Sequence, residues 1–447
     1  MPSLLKRSLY LSCIALAVLS SCAKGPRLQT PADISSPPPK TYELVNGQWF
    51  DGQGFRRQTF YSVDRLLTRD KPPRVDAVLD LEGGYVVPPF ADAHCHHFAT
   101  PAQLRQHIEM YLRDGVFYAK VQGNVRSAAL QLADQVNRPT SVDVTYAHGS
   151  LTSSYGHGME VYEGLALFGR AAGFSAEETQ RLRESRLRDN DGYYSIDTAQ
   201  DLEQKWPRIL EGRPDFIKLQ LLHSEEFTER SQRTDTIGDR GLDPRVVPAI
   251  VEKAHAAGLR VSVHVDTMTD YRIALAAGVD EMAHLPGYYY YLDSKDDRIR
   301  YELTEADARE TARRGIWVDV APVAVPLHYG PPDPAREAEI KARRDALRVH
   351  NLGLLKRFKV KLAFGSDRHG STDLDDVLYL QKLGVFSNLE ILKIWCEDTP
   401  RSIFPKRKIG SLKPGHEASF LVLGGNPLLD FEQVKNITLR FKQGDRL

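Results

Sequence analysis

Eight short apolar or β-branched runs separated by amphipathic stretches, with a β-rich segment at each end, predict an α/β protein of two parts. The middle reads as a (β/α)8 TIM-like barrel, and the ends read as a small β-sandwich domain formed from both termini. A doubly wound sheet is the competing arrangement, but no Gly-rich phosphate-binding turn follows the first strand. The 447 residues suffice for one large domain or two smaller ones. Basic and acidic residues balance at 59 each, which leaves no electrostatic case for nucleic acid. Four widely spaced cysteines match neither a disulfide framework nor a zinc-finger spacing.

The N-terminus is more specific. Lys6 and Arg7 precede an apolar run from Leu9 to Leu19, followed by Ser20-Ser21-Cys22. That is the layout of a secretory signal, and the run is short of the ~20 residues that span a bilayer. Leu19-Ser20-Ser21-Cys22 resembles the lipobox of bacterial lipoproteins, in which the cysteine becomes the lipidated first residue. An ordinary signal peptide cut nearby is the alternative. On the lipoprotein reading, residues 1–21 are the signal, Cys22 is the lipidation site and 22–40 are a Pro/Ser-rich tether that includes Pro37-Pro38-Pro39. Ala23, rather than Asp, suits the outer membrane, facing the periplasm, with membrane contact through the lipid anchor only.

Residues 41–84 alternate in strand fashion, with Asn46-Gly47 and Asp51-Gly52 as expected hairpin turns. Residues 405–447 echo them in Ala418–Leu423 and Ile437–Phe441, so the two ends are expected to form one small β-domain. Between them, residues 85–404 carry strand candidates at Tyr85–Val87, Val116–Gln122, Val142–Ala147, Phe216–Leu222, Arg260–Val265, Val279–His284, Trp317–Val323 and Lys361–Gly365. Helical spacing marks Pro244–Ala257, where Val246, Val247, Ile250 and Ala254 share a face, and also Glu305–Arg314. An insert from about Leu151 to Asp201 is expected over the active-site face.

In such a barrel, functional side chains sit at the C-terminal strand ends. Strand one ends in Asp92-Ala93-His94-Cys95-His96-His97. Period-2 alternation puts His94 and His96 on one face and Cys95 and His97 on the other. Strand four carries Lys218 in an apolar run, strands five and six carry His264 and His284, and strand eight ends in Asp367. A single histidine in an apolar strand is more often a core residue than a ligand. Five such strand ends, in order, make a common metal site the better reading.

This set, in this order, resembles the metal-binding residues of the amidohydrolase superfamily, especially its imidazolonepropionase-like and prolidase-like members. Asp215-Phe216-Ile217-Lys218, Ala277-Gly278-Val279-Asp280, Thr399-Pro400 (as a helix-ending turn) and the return Ile409–Ala418 through Gly425-Asn426-Pro427 are similar to segments of that family. The resemblance spans about Tyr42 to Asp430. It implies two divalent metal ions, with His94, His96 and Asp367 on one, His264 and His284 on the other, and Lys218 bridging them as its carbon dioxide adduct, a carbamate. The residues themselves only permit that adduct: a lysine in an apolar strand has a lowered pKa, so its neutral amine is accessible. A buried lysine paired with a carboxylate is the alternative. Zinc is the default metal for a histidine-rich set, with manganese or iron also compatible.

The implied activity is hydrolysis of a carbon–nitrogen bond in an amide, a peptide-like or a cyclic amide small molecule, with Asp367 as the catalytic proton carrier. A lactonase or esterase on the same site, and a binding lipoprotein that retains the barrel without catalysis, are the competing readings. The loop Gly149–Gly158 resembles a Gly-His-Gly loop of the prolidase-like members and makes His157 a candidate substrate contact, with a solvent-facing loop histidine the alternative. Tyr288–Tyr291 are candidate pocket residues, with aromatic packing of the loop the alternative. Three positions depart from the family pattern. Leu221–Glu226 replaces a Gly-rich stretch, Val320-Ala321-Pro322 replaces Pro-Thr, and Thr267 stands where deaminases of the superfamily place a glutamate.

Overall fold

Pro88 and Pro89 separate two strands with different partners. A proline has no N–H to continue a ladder, so pairing stops there. In the computed structural model, which describes residues 40–287, 297–321 and 334–447, Tyr85–Val87 pairs with Tyr42–Phe50 and with Phe420–Leu423. Tyr85–Val87, expected as the first barrel strand, therefore belongs to the terminal sheet. The first strand of the central body is Phe90–Cys95. The signal segment, Cys22, the tether up to residue 39 and Tyr288–Tyr291 lie outside the described residues.

Both ends of the described chain build one eight-stranded sheet. Its order is Asp445–Arg446, Ile437–Lys442, Phe420–Leu423, Tyr85–Val87, Tyr42–Phe50, Phe55–Val63 and Leu66–Thr68, with Ala77–Asp80 also paired to Tyr42–Phe50. The sandwich expectation is met in part. The far edge curls back so that Leu66 bridges Glu417, just before Phe420–Leu423. Trp49 packs against Phe60 and Phe420, at ring separations of 4.5 and 5.3 Å, and anchors the inner face. Asn46-Gly47 is not a hairpin turn. Tyr42–Phe50 runs straight through it, and a bulge between Leu44 and Gly47 absorbs Asn46 at φ 59°. The turn is at Asp51–Gly54, where the Asp51 carboxylate accepts from the Gln53 and Gly54 amides.

The body strands, in chain order, are Phe90–Cys95 (β1), Val116–Val121 (β2), Asp143–Tyr146 (β3), Phe216–Gln220 (β4), Arg260–His264 (β5), Glu281–Met282 (β6), Trp317–Val320 (β7) and Lys361–Phe364 (β8). All pair in parallel, β1-β2-β3 as one sheet and β4 to β8 in order as another. Among the described residues no ladder joins the two sheets into a closed barrel. Single bonds bridge the seams instead: the Asp215 amide donates to Tyr146 O at 2.9 Å, and the Ser366 amide donates to His94 O at 3.0 Å. The sheets nonetheless face each other, because Lys120 on β2 reaches Glu281 on β6 at 2.7 Å.

Helices cover the outside as the apolar spacing implies. Val247–Ala256 buries Val247, Ile250, Val251 and Ala254, and Glu305–Arg314 forms as expected. Thr267 caps the helix after β5 and Thr304 caps the helix before β7, each in a reciprocal capping box with an aspartate three residues on. Thr399-Pro400 does not end a helix but lies within one, the unbroken run 388–403 whose middle, Ile394–Asp398, is a π-helical turn. The Thr399 hydroxyl accepts from the Phe364 amide and so holds the end of β8. The insert after β3 contributes more than a cover: Ser150–Thr152 and Tyr193–Ser195 extend the β4 edge, and Met159–Phe168 and Ala176–Glu184 are helical.

A buried polar joint ties the terminal sheet to the body. Lys442, with no solvent-exposed side-chain surface, donates to Asp143 at 2.7 Å, and Arg407 pairs with the other Asp143 oxygen at 2.8 Å. Removing one partner of a buried ion pair leaves an uncompensated charge. Asp143→Ala is therefore expected to lower unfolding stability by roughly 3 kcal/mol. Denaturant titration measures this, and a loss below about 1 kcal/mol would place the joint among weak surface pairs.

Candidate metal centre and active-site pocket

At the end of β1, alternation holds past the last paired residue, and His94 and His96 turn to the same point. Both reach Asp367 Oδ1, through Nε2, at 3.2 and 2.9 Å. Asp367 follows β8 in the left-handed region (φ 51°), a conformation that aspartate tolerates better than most residues. Its amide donates to His94 O at 2.6 Å, so backbone and side chain lock the same two residues together. Gly365 permits this closeness: a Cβ there would lie 2.5 Å from His94 Cβ and 2.9 Å from Asp319 Oδ1.

Asp92 organises the surrounding backbone. It is fully buried and accepts from the His94 amide (3.0 Å), Tyr111 Oη (2.9 Å), the Ser366 amide (3.1 Å) and Ser366 Oγ (2.8 Å). Burial pushes its carboxyl up from the usual range, against these hydrogen bonds. Cys95 and His97 point the other way, into the core. His97 bonds Tyr111 Oη at 2.9 Å and packs edge-on to His107, and burial drops its pKa to about 3.

The second histidine pair lies beside the first. His264 Nδ1 and His284 Nε2 are 2.8 Å apart, and the His284 ring centroid is 5.8 Å from that of His94. Lys218 is buried on β4, and its ammonium group has no hydrogen-bond partner in the structure. Burial lowers its pKa to about 7, with Asp367, Glu281 and Asp319 pulling the other way. For His94 the balance reverses: burial lowers its pKa, but the Asp367 charge and contacts to Asp319 and Asp367 carry it up to about 9.

A cavity of about 560 Å³ joins these groups. His94, His96, Lys218, His264, Asp367 and His157 all line it, whereas His284 sits behind His264. His157 pairs with Glu160 at 2.9 Å and packs against His264 at 4.6 Å between ring centroids, so it is a pocket residue and not a solvent-facing one. Tyr162 and Phe174 of the insert close one side.

Among the described residues, His94, His96 and Asp367 form the group able to hold a metal, with ligand atoms within 4.8 Å of one another. Two imidazoles and a carboxylate fit a divalent ion of zinc type. The buried Lys218 amine beside them, with no hydrogen-bond partner, fits a site that expects a further group.

The sequence reading missed four residues here. Asp319 on β7 is fully buried 3.3 Å from His94 Nδ1, and its signal was of the same kind as that of Lys218, a charge inside an apolar strand. Gln122 and Glu281 form a bonded pair beneath the pocket, at 2.9 Å. His369, two residues after Asp367, stacks on His96 at 5.0 Å.

No protein-family model and no curated protein matches this chain. Solved structures do match its fold. An amidohydrolase is 20% identical with a TM-score of 0.68, over 91% of this chain and 98% of the other. A prolidase complexed with N-methylphosphonate-L-proline is 18% identical with a TM-score of 0.68, over 91% and 99%. The A. niger ochratoxinase is 17% identical with a TM-score of 0.68, over 92% and 96%. The chain thus shares its fold with amidohydrolases and prolidases. At such identities the likeness is one of architecture.

A ligating imidazole must be neutral, so metal has to displace a proton from His94 at any pH below about 9. Zinc affinity is expected to rise by up to about tenfold per pH unit from pH 6 to 8, with proton release on binding. Chelator competition across that range measures it. A flat profile would show that metal displaces no proton from His94 over this range.

Proposed function

We propose that this protein is a metal-dependent hydrolase that cleaves a carbon–nitrogen bond in an amide, peptide-like or cyclic amide substrate. The observation that carries this reading is the convergence of His94 and His96 on Asp367 beside the buried Lys218, on the floor of a pocket in an amidohydrolase-like fold. In this reading the eight parallel strands act as a (β/α)8 barrel whose seams are bridged by the bonds of Asp215 and Ser366. Two divalent ions, zinc by default, would be held by His94, His96 and Asp367 and by His264 and His284. Lys218, whose pKa burial lowers to about 7, has its neutral amine accessible. That amine would take up carbon dioxide with release of a proton, and the resulting carbamate would supply anionic oxygens to both ligand sets.

When bound, such ions supply an acidified water and polarise the scissile carbonyl. The chain's own residues do the rest. His94 and His96 bring Nε2 to within 3.2 and 2.9 Å of Asp367 Oδ1, so the three ligand atoms would meet at one ion. Asp367 accepts the proton as the water oxygen bonds to the carbonyl carbon, then delivers it to the leaving nitrogen as the C–N bond breaks. His157, Tyr162 and Phe174 border the substrate space and exclude bulk water.

Placement in the bacterial envelope through lipidated Cys22 is part of the same proposal and rests on Leu19–Cys22 alone. Labelled palmitate is expected to enter the full chain and to be lost in Cys22→Ala. Label retained by that variant would remove the anchor.

Metal analysis with a panel of dipeptides, N-acyl amino acids, cyclic amides and lactones tests the reaction. Metal content with amide turnover is expected. Turnover of lactones alone, or a protein that takes up no metal, would overturn the proposal. Asp367→Asn is expected to keep the fold and lower kcat at least ~100-fold.

A further inference from the structure

β7 places a carboxylate where the interior has no obvious use for one. Asp319 is fully buried, and neither of its oxygens accepts a hydrogen bond of standard geometry. Its partner is His94 Nδ1, 3.3 Å away, a nitrogen that also faces Ala283 O at 2.6 Å. A buried carboxylate left this way is costly for folding, because its lost hydration is not replaced. Packing alone would favour an apolar residue in its place.

A second observation points to the same contact. Gly365 at the end of β8 leaves the space that brings Asp319 and His94 together, because any Cβ there would strike both. The opposite edge of the imidazole, Nε2, is the one turned to Asp367. The ring therefore lies between two carboxylates, one on the pocket side and one behind it. Ala283 O is enough to hold the proton on Nδ1. What Asp319 adds, when ionised, is a negative charge behind the ring, which strengthens Nε2 as a donor to a cation. Burial raises its carboxyl to about 7, and the His94 contact works against that rise.

We propose that Asp319 is a positioning residue for the metal centre: through His94 Nδ1 it holds the ring with Nε2 toward Asp367 and raises its strength as a ligand, and Gly365 makes that contact possible. This rests on the metal reading above. Its signature separates it from a structural role. A structural residue would weaken the metal-free fold when replaced, whereas relieving a poorly satisfied buried carboxylate leaves the metal-free fold as stable or more so.

The test is chelator competition with zinc, together with thermal unfolding of metal-free and zinc-loaded protein, for wild type, Asp319→Asn and Gly365→Ala. Asp319→Asn is expected to weaken zinc affinity by about 10-fold or more with the metal-free Tm unchanged or raised. Its Tm gain on zinc loading should shrink accordingly. Gly365→Ala, which forces Asp319 and His94 apart, is expected to weaken zinc affinity in the same direction. Unaltered zinc affinity in Asp319→Asn, or a metal-free Tm lowered along with it, would overturn the inference. A wild type that binds no zinc, manganese or iron would instead overturn the metal reading itself.

Discussion

The Asp92 carboxylate is the interaction on which the site depends. It gathers the amide of His94 on one strand and the amide and hydroxyl of Ser366 just past the end of another, 274 residues away in sequence, and Tyr111 holds it from the helix behind. It does so at a seam that no ladder closes. In a parallel sheet, backbone bonds set the spacing of neighbouring strand ends. Where the ladder stops, something else must set it. With Asp92 in place, the residues just beyond it, His94 and Asp367, face each other at fixed range, and His96 joins them by alternation.

The interior beneath the pocket is unusual in its charge. Lys120, Glu281, Gln122 and Ser262 share one bonded cluster across the body, with Arg260 3.6 Å from Glu281. Burial alone would raise the Glu281 carboxyl, but Lys120 and Arg260 hold it down near 2. That anion in turn draws the Lys218 pKa upward against a larger burial effect. The state of the pocket lysine is thus set partly by a second layer of ions. Ion pairs of this kind contribute little to net stability once desolvation is counted. Glu281 and Lys120 act on the Lys218 amine in opposite directions, which ties the cluster to the electrostatics of the site.

Much of the site was legible in the sequence. His94, His96, Lys218, His264 and Asp367 stand within or just past their strands and all line one cavity, because the period of two that orders a strand needs no knowledge of its neighbours. Helix limits at Glu305–Arg314 were legible for a similar reason, since a threonine cap and a glycine stop act within a few residues. Errors fell where a local signal had more than one use. Asn46-Gly47 fits a tight turn and a bulge equally, and the pairing of Tyr42–Phe50 with three other strands decided for the bulge. Tyr85–Val87 was apolar enough for a body strand, but the prolines after it gave it to the other sheet.

By itself the sequence determined which side chains could serve the chemistry and which face of its strand each would occupy. It did so because alternation, capping and proline breaks are properties of a few consecutive residues. Only the tertiary structure decided which of those side chains meet. The separation of His264 from His284 across adjacent strands, the approach of Asp319 to the back of His94 and the space left by Gly365 depend on residues far apart in the chain. Distances of that kind are set by how strands are staggered and how closely their backbones pass, and no local pattern carries that information.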